Sequence, residues 1–138
     1  LWRGDGAGGF VRGAVFALPA PLLALEAGDV DGDGDLDLVG ASSAGLALWR
    51  ASAPGSFTRE AFGSASSAVD LALLDQDRNG IVDGLVVAQR AAPNQLYRVQ
   101  AGGFALVGGN PLGGGSILSS DLATGDLDGD GRADLVFA

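Results

Sequence analysis

Apolar residues fall in short runs divided by glycine-bearing turns, and residues 67–116 display the pattern most fully. Ala68 to Leu74 is small and apolar, interrupted only by Asp70, as a buried inner strand requires. Gly84 to Ala88 is a second apolar run centred on Val86 and Val87. Asn94 to Val99 alternates Leu96 and Arg98 with Gln95 and Tyr97, the two-residue period of a half-exposed strand. Ala101-Gly102-Gly103 then turns the chain, Phe104 to Val107 reads as an outermost strand, and the Gly-rich segment 108–115 leads onward. Strands of this length, with turns at this spacing, predict an all-β fold. No helical stripe persists for ten residues; Leu22 to Leu25 is apolar, but Gly28 follows too soon for a useful helix.

The unit recurs. Leu48-Trp49-Arg50 and Leu96-Tyr97-Arg98 have a third counterpart in Leu1-Trp2-Arg3, and each is followed by a Gly-bearing turn and a phenylalanine: Phe57, Phe104 and Phe10. Trp2 to Trp49 is 47 residues and Trp49 to Tyr97 is 48, within the range of propeller blades and similar arrays. The expected division is strands three and four of a repeat at 1–20, one repeat at 21–66, another at 67–116, and strands one and two at 117–138. Leu135-Val136-Phe137-Ala138 aligns with Leu38-Val39-Gly40-Ala41, and Leu1 with Leu48, so the chain amounts to three repeats in a circularly permuted frame. The fold expected is a β-propeller, or a segment of one, made of four-stranded antiparallel blades.

Between the first two strands of each repeat lies a nine-residue acidic loop. Asp29, Asp31, Asp33 and Asp37 hold positions 1, 3, 5 and 9 of the first, with Asp35 at position 7; the second has Asp75, Asp77, Asn79 and Asp83, and the third Asp126, Asp128, Asp130 and Asp134. Carboxylates this close repel one another, and a hard cation seeking six to eight oxygens removes the conflict. Position 7 varies between Asp35, Ile81 and Arg132, as expected if it contributes its backbone carbonyl. Gly34, Gly80 and Gly131 at position 6 permit a sharp, left-handed turn around the ion. An all-oxygen donor set suits Ca2+ ahead of magnesium or manganese, one ion per loop and about three per chain. An EF-hand would need a bidentate Glu at position 12, where this chain has Gly40, Val86 and Phe137.

The loop, the small apolar strand before it, the Leu-Val run after it and the aromatic-Arg hairpin that follows resemble the FG-GAP/VCBS repeat, the blade of integrin α-subunit-like propellers. The resemblance covers nearly the whole chain. It implies calcium between the first two strands of each blade, an extracellular or cell-surface setting, and a role in adhesion or ligand binding. Asn79 and Arg78 depart from the pattern and make the second loop the expected weakest site. Three blades are too few for a propeller ring of about four to eight. The chain is therefore expected either to belong to a longer propeller or to assemble as a homo-oligomer, with a dimer giving six blades.

Composition narrows the chemistry. The 138 residues contain neither Cys nor His, which excludes disulfides, Cys- or His-ligated zinc, and Ser-His-Asp or Cys-His catalysis. The clustered carboxylates are committed to metal, so no enzyme is expected. Net charge is −9, and 12 of the 17 acidic residues lie in the loops. Three divalent ions would bring it to about −3, a usual value for a small domain. Its sign argues against nucleic acid or an anionic membrane as partner, and no apolar run approaches a membrane span. Leu1 stands where Met would open a chain, so the segment reads as processed, excised or engineered, and the lack of a leader says little about location. The partner is a protein or glycan of unspecified identity; a lectin-like propeller using Trp2, Trp49 and Tyr97 is the alternative, although repeated strand aromatics normally pack. Arg3-Gly4-Asp5 reads as a hairpin turn, and Asp70 and Asp121 as residues bonding a neighbouring turn, although Ala24 at the equivalent place in the first repeat argues against a required role.

Overall fold

A computed structural model describes residues 1–13, 18, 20–53, 55–109, 111–112 and 118–138. Among them the chain forms twelve strands and no helix: β1 Trp2–Gly4, β2 Phe10–Arg12, β3 Leu22–Gly28, β4 Asp37–Ser42, β5 Gly45–Ala53, β6 Ser56–Gly63, β7 Ala68–Leu74, β8 Gly84–Gln89, β9 Gln95–Gln100, β10 Gly103–Leu106, β11 Leu122–Gly125 and β12 Asp134–Phe137. Strands β3–β6 form one four-stranded antiparallel sheet and β7–β10 a second, each a simple meander. Hairpins β1–β2 and β11–β12 are separate two-stranded sheets. The all-β expectation and the four-strand unit are therefore found. The strands expected within 1–20 and the connector 108–115 run partly outside the described residues. No ring or barrel closes among the described residues, and the two hairpins share no sheet in this chain.

The registers repeat. Leu38 faces Trp49 in the first sheet, and Leu85 faces Tyr97 in the second. Ala51 faces Phe57, and Val99 faces Phe104. These pairs support the alignment of Trp49 with Tyr97. The second repeat carries one extra residue after its loop: Gly28 pairs with Asp37, but Leu74 pairs with Gly84, so Asp83 lies just outside β8.

Register decides which side chains share a face, because neighbours along a strand point oppositely. On the first sheet Val39, Ala41, Leu46 and Leu48 face the second sheet, meeting Leu71, Leu85, Val87 and Tyr97 in a buried core. Phe62 stands edge-on to Tyr97 at 5.5 Å and packs against Phe104 at 4.9 Å between ring centres. On its other face the second sheet sets Val86, Ala88 and Leu96 against Leu122, Leu135 and Phe137 of β11–β12. The repeats thus stack head to tail. Close approach explains Gly28: a Cβ there would come within 2.8 Å of Val82 and 2.9 Å of Leu73 across the interface.

Polar groups join the same neighbours. The Val82 N–H donates to the Asp29 carbonyl (2.8 Å), and the Ser119 N–H to the Gln89 carbonyl (2.9 Å). Asp70 accepts from the Leu122 N–H at 3.2 Å. The residue set aside because the first repeat has Ala24 there is thus a strap between the second and third repeats. Arg50 donates to the Gly102 carbonyl in the turn before β10.

Candidate metal centres

Each acidic loop is built on one hydrogen-bond template. The position-1 carboxylate caps the loop from inside: Asp29 accepts from Gly32 and Gly34 N–H (2.7 and 3.0 Å), Asp75 from Asn79 and Gly80 (3.1 and 2.8 Å), and Asp126 from Gly129 and Gly131 (2.8 and 2.9 Å). The position-9 carboxylate holds the N–H of position 2: Asp37 bonds Val30, Asp83 bonds Gln76, and Asp134 bonds Leu127. Position 5 caps position 7 where Asn79 accepts from Ile81 (2.7 Å) and Asp130 from Arg132 (2.8 Å).

Two left-handed residues per loop produce this curl. Position 6 is Gly34, Gly80 and Gly131, at φ of 88°, 88° and 92°. Position 4 is left-handed too: Gly32 and Gly129 at 80°, and Arg78 at 61°. From sequence the left-handed turn is expected at position 6 alone, with Arg78 at position 4 noted only as a departure from the pattern. The glycine at position 4 of two loops carried the missing signal, and Arg78 adopts this backbone at a steric cost that glycine avoids.

Carboxylate oxygens converge within 4.8 Å of one another in all three loops, from Asp29, Asp31 and Asp33, from Asp75, Asp77 and Asp83, and from Asp126, Asp128 and Asp134. Convergence of three acceptor-only groups, each with oxygen lone pairs left over, fits a hard divalent cation. The groups are not identical. Asp37 is fully buried and accepts from Ala51 N–H at 2.9 Å as well as from Val30, so its side chain stays outside the first cluster. Burial pushes its carboxyl above the ordinary carboxylate value, against the lowering effect of the Ala51 and Val30 N–H groups. Asp83, displaced by the extra residue before β8, is exposed and joins its cluster. Asp130 lies outside the third three-carboxylate group, and Asp35 outside the first.

The loops also connect along the stack. Asp29 and Ile81 form a parallel bridge between the first two loops. Arg78 reaches Asp126 of the third loop at 3.6 Å. Asp31 pairs with Arg50 of β5 at 3.0 Å.

The other sequence candidates separate clearly. Trp49 and Tyr97 are buried and only Trp2 is exposed, so the three form no exposed stacking ladder. Asp5 closes the β1–β2 turn by accepting from Ala7 and Gly9 N–H at 2.8 and 2.9 Å, which holds its carboxyl below the usual value. No helix among the described residues is long and apolar enough to cross a membrane.

Stacked four-stranded antiparallel units, each with an acidic loop between its first two strands, define an all-β repeat protein. Residues 29–86, from the first loop through the second and into β8, match the family model of the FG-GAP-like repeat, the repeat type that the sequence resembles. No curated protein and no solved structure matches the chain.

Proposed function

We propose that the chain is a calcium-stabilised, propeller-type interaction scaffold without catalytic activity. The observation that carries this reading is the threefold convergence of carboxylates on one loop template. A divalent ion in each loop offsets the repulsion among the carboxylates and ties the end of one strand to the start of the next. FG-GAP-like repeats are a structural and interaction family, typically extracellular, where calcium is abundant enough to fill moderate sites. The ligand, a protein or a glycan, would meet loops that differ among repeats.

Calorimetric titration of chelator-treated protein with calcium tests the reading. The expected result is saturable binding approaching three ions per chain, with a rise in melting temperature. Asp75→Ala should remove one ion, and Asp126→Ala another. Absence of binding heat together with an unchanged melt would overturn the proposal.

A further inference from the structure

The second loop carries a chemistry that the other two lack. Asn79 is followed by Gly80, and both are exposed to water. In such a pair the glycine nitrogen can attack the asparagine side-chain amide and close a cyclic imide, because glycine has no side chain to obstruct the ring. The loop places the groups that this attack needs. The Gly80 N–H donates to Asp75 Oδ2 at 2.8 Å, so a carboxylate is positioned to take its proton. Asn79 Oδ1 accepts from the Ile81 N–H at 2.7 Å, which stabilises charge developing on that oxygen. Asn79 Nδ2, the leaving nitrogen, donates to Asp77 Oδ2 at 3.1 Å. A Cβ added at Gly80 would meet nothing within 4 Å, so the attacking residue has open space around it.

The other loops share this scaffold without the amide. The Gly34 and Gly131 N–H groups bond Asp29 and Asp126 at 3.0 and 2.9 Å, as Gly80 bonds Asp75. The residues before them are Asp33 and Asp130, which have no side-chain amide nitrogen to displace. The chain's remaining asparagines are placed differently. Asn94 is partly buried, accepts from the Gln89 N–H at 2.8 Å, donates to Ser119 at 2.9 Å and is followed by Gln95. Asn110 precedes Pro111, whose nitrogen has no proton to give up.

We propose that Asn79-Gly80 is a self-modification site at which Asn79 deamidates through a cyclic imide, with Asp75 as the proton acceptor. A bond forms between the Gly80 nitrogen and Asn79 Cγ, the Cγ–Nδ2 bond breaks, and ammonia leaves carrying the proton that Asp75 took from Gly80. Water then opens the imide at either carbonyl, and nothing is oxidised or reduced. One opening leaves an aspartate at position 79; the other leaves an isoaspartate, with an extra methylene in the main chain. The aspartate gives the second loop the position-5 carboxylate that Asp33 and Asp130 provide in the others. Asp130 accepts from the Arg132 N–H at 2.8 Å, so a carboxylate at this position keeps the contact that Asn79 makes with Ile81. The isoaspartate lengthens the loop and moves Asp83 out of step with Asp75. The second loop therefore gains negative charge with age and divides into two populations. The modification is independent of calcium; its effect on metal holding rests on the calcium reading.

Peptide mass spectrometry of the chelator-treated chain, incubated at neutral pH, tests the proposal. Asn79 should exchange NH2 for OH while Asn94 and Asn110 stay amides, and fragmentation should find both aspartate and isoaspartate at position 79. Asp75→Ser removes the carboxylate and should slow the conversion by about tenfold or more. Asp83→Ser disturbs the same loop without touching the reacting atoms, and should keep the parent's rate. In urea the parent and Asp75→Ser should convert equally, because the unfolded chain no longer holds a carboxylate against Gly80. An amide intact at Asn79 after the urea-unfolded chain has converted overturns the site. An unchanged rate in Asp75→Ser, or an equal slowing in Asp83→Ser, overturns the role given to Asp75. Saturating calcium should slow the conversion by drawing Asp75 into coordination. Conversion that proceeds equally with and without calcium would count against the calcium reading and leave this site standing, so the two proposals fall separately.

Discussion

The sheets β3–β6 and β7–β10 share one register, yet their surroundings differ. The second is covered on both faces, by the first sheet and by β11–β12. The first is covered on one, and its Leu25 faces outward where Leu71 is buried. Their loops differ in the opposite sense. In the first, Asp37 is drawn into the strand and buried; in the second, an extra residue leaves Asp83 exposed among the converging carboxylates. The lesson is that a repeat's burial belongs to its neighbours, whereas its loop chemistry belongs to its own spacing.

Removing calcium tests the loop side of this comparison and has the largest expected effect. A ligand held at 100 times its dissociation constant adds about 2.7 kcal/mol per site, so three independent sites sum to about 8 kcal/mol. A chelator should lower the melting temperature in scanning calorimetry, and a melt that ignores it would remove the loops from the stability of both sheets.

The burial side is tested by one substitution at two equivalent places. Leu71→Ala should cost about 2–5 kcal/mol in urea melts, the range for emptying a buried leucine site. Leu25→Ala should cost less than about 1 kcal/mol at concentrations where chains are single, because the side chain already meets solvent. Equal costs would mean that the first sheet's open face is covered within the chain.

Arg78 separates the loops themselves. Arg78→Gly removes a left-handed non-glycine residue, worth about 1–2 kcal/mol, and forfeits an exposed ion pair to Asp126 worth about 0–1 kcal/mol. The expected net is a stabilisation of about 1 kcal/mol in calcium-free melts. A clear loss of stability would show that the link to the third loop outweighs the backbone strain.

The smallest effect is electrostatic and lies between the sheets. Burial raises the Glu26 carboxyl above its ordinary value near 4.5, and the nearby Asp70 charge adds to the shift. A carboxyl raised on folding binds its proton more tightly in the folded state, so it favours folding at low pH and opposes it once ionised. Glu26→Gln should therefore raise the melting temperature slightly at neutral pH, and the advantage should shrink as pH falls through and below the raised value. An advantage independent of pH would assign the effect to packing.

The candidate sites were largely legible in the chain because their chemistry is local. Nine residues carry the acceptors, the left-handed positions and the spacing, so Asp29, Asp75 and Asp126 could be aligned without any fold. What stayed hidden were the departures that come from packing. Asp37 and Asp83 occupy the same loop position, but pairing of Gly28 with Asp37 and of Leu74 with Gly84 sends one inward and the other to solvent. Asp70 looked dispensable because the first repeat has Ala24 there; its bond to the Leu122 N–H spans 52 residues, beyond the reach of any local pattern.

By itself the sequence determined the strand content, the four-run unit and the acidic loops, since alternation, glycine placement and charge spacing act within a few residues. Tertiary structure alone decided which copy of each repeated position is buried. Trp2, Trp49 and Tyr97 stand in the same place in the pattern, and only tertiary packing separates them: Tyr97 is buried against the first sheet, Trp49 lies over Gly40 of its own sheet beside Arg59, and Trp2 is left in water. The physical reason is that hydrophobic burial depends on what lies across the interface, which a strand's own residues invite but do not supply.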